Sequence, residues 1–250
     1  NGEVAIVTGA GRGIGAAIAQ TLGAAGARVA VNDINAGNAE KVAKAIRDAG
    51  GRAIATAGDV ANKFQCVDVI ETTRSEWGQL DILINNAAVE PAVSVLKMDE
   101  WDFQRCLDVN LKGTFFMSQL VGRVMVDENG ERGGSIVNIA SSAGVQTPLV
   151  DRSAYCASKA GIVGFAKECA REFAQYNIRV NTVLPGIIDT PLIERLKEDP
   201  EKLAYWEKSI PLGRLGEDQD VANMVIFLAS SQASYLTGGT FTVDGGRVMR

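Results

Sequence analysis

The chain has 250 residues, of which 46% are hydrophobic and 22% charged, and its formal net charge is −5. This length is enough for one substantial α/β core. The acidic balance, without a cluster of lysines and arginines, argues against nucleic acid as a partner. No apolar run approaches the roughly 18 residues that a bilayer span needs, so we expect no membrane partner.

Histidine is absent from the chain. Its absence excludes serine–histidine–aspartate and cysteine–histidine machinery, zinc sites with histidine ligands, and any histidine general acid. We expect no metal site. Another side chain must supply any acid–base chemistry.

The start of the chain and its cysteines indicate the compartment. The opening NGEVAIVTGA predicts a strand and its turn rather than a signal peptide. Cys66, Cys106, Cys156 and Cys169 are widely spaced and form no CxxC pair. Isolated cysteines of this kind are typical of small buried side chains in a reducing compartment. We therefore expect a cytoplasmic protein.

Short runs rich in valine, isoleucine and alanine alternate with longer segments of helical period. The predicted strands span 3–9, 27–33, 52–60, 80–87, 134–141, 178–186 and 240–246, and the predicted helices lie near 13–25, 37–49, 62–77, 98–127, 155–176 and 217–230. Continuous apolar strands are typical of a sheet covered on both faces. The pattern predicts one α/β domain over 1–250, with a doubly wound parallel sheet of about seven strands and helices on both faces.

One segment interrupts this alternation. Residues 189–212, DTPLIERLKEDPEKLAYWEKSIPL, contain three prolines, many charges and a few large apolar side chains. A long excursion in a compact domain is usually functional, and we predict a lid over a substrate pocket. A simple surface helical hairpin is the alternative.

The first predicted strand runs directly into TGAGRGIG, with glycines at 9, 11, 13 and 15, and then into an alanine-rich helix. Glycines let the backbone approach a ligand closely, and the N-terminus of the helix offers N–H groups and a positive dipole end to an anion. An acidic residue, Asp33, follows about 20 positions later at the end of the second strand. This context predicts a Rossmann-like dinucleotide site.

Asp33 bears on the choice of cofactor. In a dinucleotide fold this position faces the adenosine ribose, where a carboxylate accepts hydrogen bonds from both hydroxyls and repels a 2′-phosphate. We therefore expect NAD, with NADP less favoured. Arg12 in the glycine loop argues the other way, because its positive charge could favour the phosphate of NADP. It could equally contact the pyrophosphate. The alternative interpretation is that Asp33 only begins a turn before Asn35 and Gly37.

The glycine spacing, TGxxxGxG over Gly9, Gly13 and Gly15, differs from the GxGxxG of long-chain dehydrogenases. With NNAA at 85–88 and Tyr155-x-x-x-Lys159, it resembles the short-chain dehydrogenase/reductase family. The resemblance covers essentially the whole chain. It continues through DV at 59–60, Asn110 in DVNLKG, Ser141 in NIASSAG, PG at 185–186 followed by Thr190, and DGG at 244–246.

Two features depart from the family pattern. Ala88 stands where the family has the last glycine of NNAG, which leaves the backbone beside the cofactor less free. The gap between the family's serine and its tyrosine is one residue longer here, so Ser141 and Ser142 are alternatives. We choose Ser141 because it lies at the predicted strand end.

The resemblance implies hydride exchange with a nicotinamide, while the residues provide the proton chemistry. Tyr155 is the candidate general acid/base. Lys159, one helical turn along, is expected to lower the pKa of the phenol. By resemblance, Ser141 holds the substrate oxygen and Asn110 anchors a water in a proton relay. Taken alone, Asn110 is equally compatible with a helix-interior side chain bonded to neighbouring backbone.

Further cofactor contacts are implied by the same resemblance, all of them near the carboxyl ends of predicted strands. The complete expected set is Gly9, Arg12, Gly13, Ile14, Gly15, Asp33, Asp59, Val60, Asn86, Tyr155, Lys159, Pro185, Gly186, Ile188 and Thr190.

The expected activity is interconversion of a secondary alcohol and a ketone with NAD(H). The alternatives are an NADPH-dependent 3-oxoacyl-thioester reductase and a non-catalytic dinucleotide-binding sensor or structural subunit. The expected substrate pocket is lined by Val89, Glu90, Gln146, Leu149, Leu192 and Trp206 and takes a medium-sized compound with an apolar portion. The long apolar helices at 98–127 and 155–176 need cover beyond the sheet, which pairing across a twofold axis would provide. The family is commonly tetrameric, so the resemblance implies a homotetramer with these helices at one interface.

Overall fold

The computed structural model describes residues 2–190 and 199–249. Seven strands alternate with helices along the chain. The strands are β1 (Val4–Val7), β2 (Arg28–Asp33), β3 (Arg52–Ala57), β4 (Ile82–Asn85), β5 (Gly134–Ile139), β6 (Ile178–Pro185) and β7 (Thr240–Val243). The helices are α1 (Gly13–Ala24), α2 (Ala36–Asp48), α3 (Lys63–Trp77), α4 (Glu100–Leu107), α5 (Gly113–Asn129), α6 (Ser153–Phe173), α7 (Pro200–Ser209) and α8 (Asp218–Ala229).

The strands form one parallel sheet in the order β3-β2-β1-β4-β5-β6-β7. The strand order reverses between β1 and β4, so the helices that follow these two strands lie on opposite faces of the sheet. In open α/β sheets a crevice forms outside the carboxyl ends of the strands at such a reversal, and ligands bind there. The predicted fold class is confirmed.

Two apolar layers cover the sheet. Residues alternate between them along each strand: Ala5 and Val7 of β1 pack with α1, α2 and α8, whereas Val4 and Ile6 pack with α3, α5 and α6. All four of these strand residues have no solvent exposure. The continuous apolar strands predicted from the sequence follow from this two-sided burial.

The strands are shorter than predicted at their carboxyl ends, and β4 gives the reason. The backbone N–H groups of Asn86 and Ala87 donate to the hydroxyl of Thr8, at 3.0 and 3.1 Å, and take no part in a strand ladder. The chain therefore leaves the sheet after Asn85 and enters the crevice.

The helix predicted near 98–127 is present as one continuous helical segment from Glu100 to Asn129, but it is not α-helical throughout. A π-helical turn, Asp108–Lys112, separates α4 from α5. Asn110 lies in this turn, and its side-chain amide binds both the N–H and the carbonyl of Val89, at 2.8 and 3.0 Å. A π turn inserts an extra residue and re-aims the side chains around it, and such turns are frequent at functional sites.

The predicted lid is described in part. Residues 199–212 contain α7, and residues 191–198, including Leu192, lie outside the described residues. None of the helices in the described ranges combines the length and apolar composition that crossing a bilayer requires.

Candidate active site

The glycine turn between β1 and α1 forms a cradle that side chains would fill. Gly9 has a φ of +59°, and a Cβ there would lie 2.7 Å from Cα of Ala87. A Cβ on Gly15 would overlap the carbonyl oxygen of Gly9 and lie 2.5 Å from Nδ2 of Asn86. The backbone is therefore free to approach a diphosphate at the N-terminus of α1. The cradle fits the pyrophosphate of a dinucleotide.

Thr8 and Asn86 brace this cradle. Nδ2 of Asn86 donates to the carbonyls of Thr8 and Gly9, at 3.0 and 2.9 Å. The Thr8 hydroxyl accepts from the chain after β4, as described above, and donates to the Ile84 carbonyl at 3.3 Å. The sequence predicted Asn86 as a cofactor contact and gave no role to Thr8. The position of Thr8 immediately before the first glycine of the turn could have indicated this role.

Asp33 ends β2 beside the glycine turn. One carboxylate oxygen accepts from the N–H of Gly11 at 3.0 Å and the other from the N–H of Asn35 at 2.9 Å. The half-buried carboxylate is thus fixed at the edge of the cradle, where the predicted ribose site lies. Arg12 is exposed and occupies the N-cap position of α1. The half-buried Ile14 follows in the first turn of that helix.

Asp59 and Val60, two of the predicted cofactor contacts, lie just beyond β3. Val60 is buried, whereas Asp59 is half-buried and pairs with Arg105 of α4 at 2.8 Å. The second carboxylate oxygen of Asp59 accepts from the N–H of Ala61 at 2.9 Å. This loop is therefore held on both sides, by its own backbone and by α4.

The loop after β6 is fixed by the C-terminal loop. The N–H of Gly186 donates to the carbonyl of Val243 at 2.8 Å, and a Cβ on Gly186 would lie 2.6 Å from Cβ of Asp244. The carboxylate of Asp244 accepts from the N–H groups of Gly246 and Val248 at 2.9 and 2.8 Å. The DGG segment thus supports the PG segment across the sheet edge.

The remaining predicted residues of this loop differ in exposure. Pro185 closes β6, and its carbonyl accepts from the N–H of Ser142 at 3.0 Å. Ile188 is buried in the apolar layer with α1 and α8, so its backbone, not its side chain, faces the crevice. Thr190 is half-buried and is the last residue described before 191–198.

Tyr155, Ser141 and Lys159 meet where β5 ends and α6 begins. The hydroxyl of Ser141 is close enough to the phenol of Tyr155 to lower its pKa, and it accepts from the N–H of Ala143 at 3.1 Å. Lys159 lies one helical turn further, with Nζ 5.5 Å from the centroid of the tyrosine ring and 2.8 Å from the carbonyl oxygen of Ile139, to which it donates. Ser142 points its backbone N–H away from this group, towards Pro185. The structure therefore brings Ser141, not Ser142, to the phenol.

Burial dominates the titration of this group. It raises the pKa of Tyr155, the negative charge of Glu90 adds to the rise, and the nearby hydroxyl of Ser141 opposes it. Burial lowers the pKa of Lys159 to about 8, against the opposing effects of Cys106 and Glu90. In the chain by itself, burial sets the direction, and the pKa of the phenol lies above its ordinary value.

Asn110 is bonded on every side by protein. Besides Val89, its amide nitrogen donates to the hydroxyl of Ser158 at 2.9 Å, and that hydroxyl donates to the carbonyl of Tyr155 at 2.7 Å. The carbonyl of Asn110 accepts from Thr114 at 2.7 Å. The side chain thus links the loop after β4 to the helix that carries Tyr155, whereas the plainer interpretation of the sequence expected bonds to neighbouring backbone.

A cavity of about 560 Å³ opens at the start of α6, lined by residues of three segments that do not include Ser141, Tyr155 or Lys159. They are Ser94, Val95, Gly144, Val145, Gln146, Thr147, Pro148, Leu149, Asp151, Arg152, Ser153 and Cys156. Gln146 and Leu149 line it as predicted. Glu90 stands behind Arg152, with Oε1 2.6 Å from its Nε, and Arg152 is a residue that sequence reasoning missed.

Two predicted pocket residues point elsewhere. The backbone of Val89 is held by Asn110, and its side chain packs in the apolar layer with α3 and α5. The ring of Trp206 is covered by the guanidinium of Arg247 at 5.1 Å. A second cavity, of about 670 Å³, lies between α8, β7 and the C-terminal residues, and none of the Ser141, Tyr155 and Lys159 group lines it.

The chain matches known proteins over nearly its whole length. A family model described as enoyl-(acyl carrier protein) reductase matches residues 9–247. A 3-oxoacyl-[acyl-carrier-protein] reductase of Thermotoga maritima is 38% identical, over 99% of this chain and 98% of its own length. A galactitol 2-dehydrogenase of Agrobacterium fabrum is 36% identical, over 100% of this chain and 98% of its own length.

A solved structure agrees with these matches. A 3-oxoacyl-[acyl-carrier protein] reductase from Brucella melitensis with bound NAD superposes with a TM-score of 0.89 and 36% identity, covering 99% of this chain and 92% of that one. The chain belongs to the short-chain dehydrogenase/reductase family. It is an oxidoreductase acting on CH–OH or carbonyl groups, and its family binds a nicotinamide dinucleotide.

Proposed function

We propose that the protein is an NAD(H)-dependent oxidoreductase that interconverts a secondary alcohol and a ketone. The observation that carries this proposal is the grouping of Ser141, Tyr155 and Lys159 where β5 ends and α6 begins. The bound nicotinamide would supply a hydride acceptor or donor.

Each side chain of the group has a proposed role. Ser141 donates a hydrogen bond to the substrate oxygen, and Tyr155 takes the hydroxyl proton during oxidation and returns it during reduction. Lys159 holds a positive charge behind the phenol at pH values below about 8. Asn110 keeps the loop after β4 at a fixed distance from α6 and, by family resemblance, anchors the relay water.

The cofactor would lie along the crevice. The pyrophosphate would sit on the cradle of Gly9, Gly13 and Gly15, with the ribose at Asp33 and the adenine beside Asp59. The remaining proposed contacts are Arg12, Ile14, Val60, Asn86, Tyr155, Lys159, Pro185, Gly186, Ile188 and Thr190. The fixed carboxylate of Asp33 favours NAD over NADP because a 2′-phosphate would meet a like charge.

A second candidate is supported by the relatives. Several proteins similar to this chain are named 3-oxoacyl-[acyl-carrier-protein] reductases, which would make this chain a reductase of 3-oxoacyl thioesters using NADPH. Against it stand the carboxylate of Asp33 at the ribose position and the net charge of −5, which disfavours docking of an acidic carrier.

We also propose a cytoplasmic homotetramer. Exposed apolar side chains of α4, α5 and the loop before α4 form a patch beside α6, including Leu96, Trp101, Phe103 and Phe115. The outer surface of α6 there is exposed at Ala157, Ala160 and Gly164, which permits a close approach of a second helix. Light scattering in dilute neutral buffer tests this proposal, and a monomer mass would contradict it.

The proposed activity is tested by steady-state kinetics with NAD(H) and NADP(H) over alcohols, polyols, hydroxy acids, steroids and 3-oxoacyl thioesters, in both directions. We expect turnover of an alcohol–ketone pair with a higher kcat/KM for NAD(H). A strong preference for NADPH with a 3-oxoacyl thioester would favour the second candidate.

A further inference from the structure

Arg152 brings a cation to the lining of the cavity at the start of α6. Nε donates to Glu90 at 2.6 Å, and Nη1 makes a long contact of 3.3 Å with the carbonyl of Asp151. Among the described residues, Nη2 has no hydrogen-bond partner. The side chain is 26% exposed, so its terminal donors reach the cavity while its stem is covered.

The position of Arg152 in the chain sets it close to the reacting group. It directly precedes α6, and Tyr155 follows three residues later. Residues three apart at the start of a helix share one face, about 5–6 Å apart at Cβ. The same cavity also receives the N-terminus of the 21-residue helix α6, whose first N–H groups and positive dipole end favour an anion.

Glu90 fixes the orientation of the guanidinium. A carboxylate on Nε leaves the edge with the two terminal nitrogens available to other acceptors, and on that edge Nη1 makes only the long contact with Asp151. That edge presents parallel N–H donors spaced for the two oxygens of a carboxylate, whereas a single hydroxyl would satisfy one of them. Asp151 at the rim opposes an anion, but it is exposed, and solvent screens its charge.

We infer that Arg152 binds a carboxylate of the substrate, and that the substrate is a short hydroxy acid and its oxo acid. This inference rests on the proposed function. In the oxidation, the C–H bond of the carbinol breaks and its hydride, with both electrons, reduces NAD⁺ to NADH. The hydroxyl proton passes to Tyr155 and the C–O bond becomes the ketone, while the carboxylate is unchanged.

The first experiment compares acids with uncharged analogues. The probes are 2-hydroxybutanoate, 3-hydroxybutanoate and their oxo acids, each beside its primary amide, with galactitol and acetoacetyl thioester as representatives of other substrate classes. We expect the best acid to exceed its amide by about 10- to 100-fold in kcat/KM, the range for a hydrogen bond to a charged group. An amide turned over as well as its acid, or a higher kcat/KM for galactitol or the thioester, overturns the inference and leaves the proposed redox function intact. No turnover of any alcohol or ketone, with NADH bound, refutes both.

The second experiment varies Arg152. Arg152→Gln should raise KM for the acid and lower its kcat/KM by about 10- to 100-fold, with less than about a 3-fold change for the amide. Arg152→Lys keeps the charge without the planar fork and should fall between. Arg123→Gln, which removes the same charge from an exposed position on α5, is the matched control. Equal losses for acid and amide, in variants that unfold at the wild-type temperature, would assign Arg152 a structural role and overturn the inference.

Discussion

Nζ of Lys159 lies 5.5 Å from the centroid of the Tyr155 ring and donates a 2.8 Å hydrogen bond to the carbonyl oxygen of Ile139 at the end of β5. The lysine is therefore anchored to the sheet while the tyrosine faces the crevice. Because burial raises the pKa of the phenol and lowers that of the ammonium group, the phenol stays protonated at neutral pH. A second positive charge, that of a bound oxidised nicotinamide, would favour the phenolate.

Tyr155→Phe should abolish most of the turnover. The substitution keeps the ring that packs beside Lys159 but removes the ionisable hydroxyl. Loss of a general acid/base lowers kcat by roughly 10²- to 10⁴-fold. Steady-state kinetics measures the loss, and NADH fluorescence checks that the cofactor still binds. Turnover near the wild-type value would contradict the assignment of Tyr155.

Ser141→Ala and Ser142→Ala form a matched pair. The hydroxyl of Ser141 is close enough to the phenol to lower its pKa, whereas Ser142 binds Pro185 through its backbone, which alanine retains. We expect kcat to fall by roughly 10²- to 10³-fold for Ser141→Ala, as for the loss of a donor to a reacting oxygen, and by less than about 10-fold for Ser142→Ala. The reverse order would exchange their roles.

Asp33→Ser should change the cofactor preference. Serine keeps a hydroxyl near the ribose and removes the charge that would repel a 2′-phosphate. Because like charges placed together cost several kcal/mol, the ratio of kcat/KM for NADP to that for NAD should rise by on the order of 100-fold. Arg12→Gln measures the opposite contribution and should weaken NADP more than NAD. An unchanged ratio in Asp33→Ser would show that the ribose lies elsewhere.

Gly15→Ala should damage the cradle. The added methyl group would overlap the carbonyl of Gly9 and press on Asn86. Overpacking of this kind costs about 1–3 kcal/mol of the free energy of unfolding. We also expect at least about a 10-fold loss in NADH affinity, measured by titration. Gly37→Ala, whose Cβ would lie 3.3 Å from Oδ1 of Asn35, is the control and should change both quantities little.

Asp218→Asn should stabilise the protein at neutral pH. Oδ1 of this half-buried carboxyl is a buried atom without a hydrogen-bond partner among the described residues. Burial, and then the charge of Asp189, raise its pKa from 3.8 to about 6. A carboxyl with a raised native pKa stabilises the fold below pH 3.8, and this contribution is lost as the pH rises through about 6.

The gain from Asp218→Asn at pH 7.5 should be on the order of 1 kcal/mol, since solvent screens a half-buried charge. Thermal unfolding at pH 7.5 and at pH 4 measures it, and the difference between variant and wild type should shrink at pH 4. An equal effect at both pH values would mean that the charge of Asp218 does not destabilise the fold.

The sequence by itself determined the strands, the helices and the order of the motifs, because the apolar period and the glycine turn are local properties. The alternation of β1 to β7 with helices predicted a doubly wound sheet, and that prediction is confirmed. The family followed from motifs spread over the whole chain. Each single motif or element is recognised from residues that are close together in the sequence.

The tertiary structure decided what depends on residues far apart in the chain. It brought the hydroxyl of Ser141 close to Tyr155, placed a π turn at Asn110 inside one long helix, and raised the pKa of the phenol because burial is a property of the folded chain. Arg152 and Glu90 are 62 positions apart, and no local pattern joins them. Packing of the loops after β4 and β5 brings them together beside the cavity.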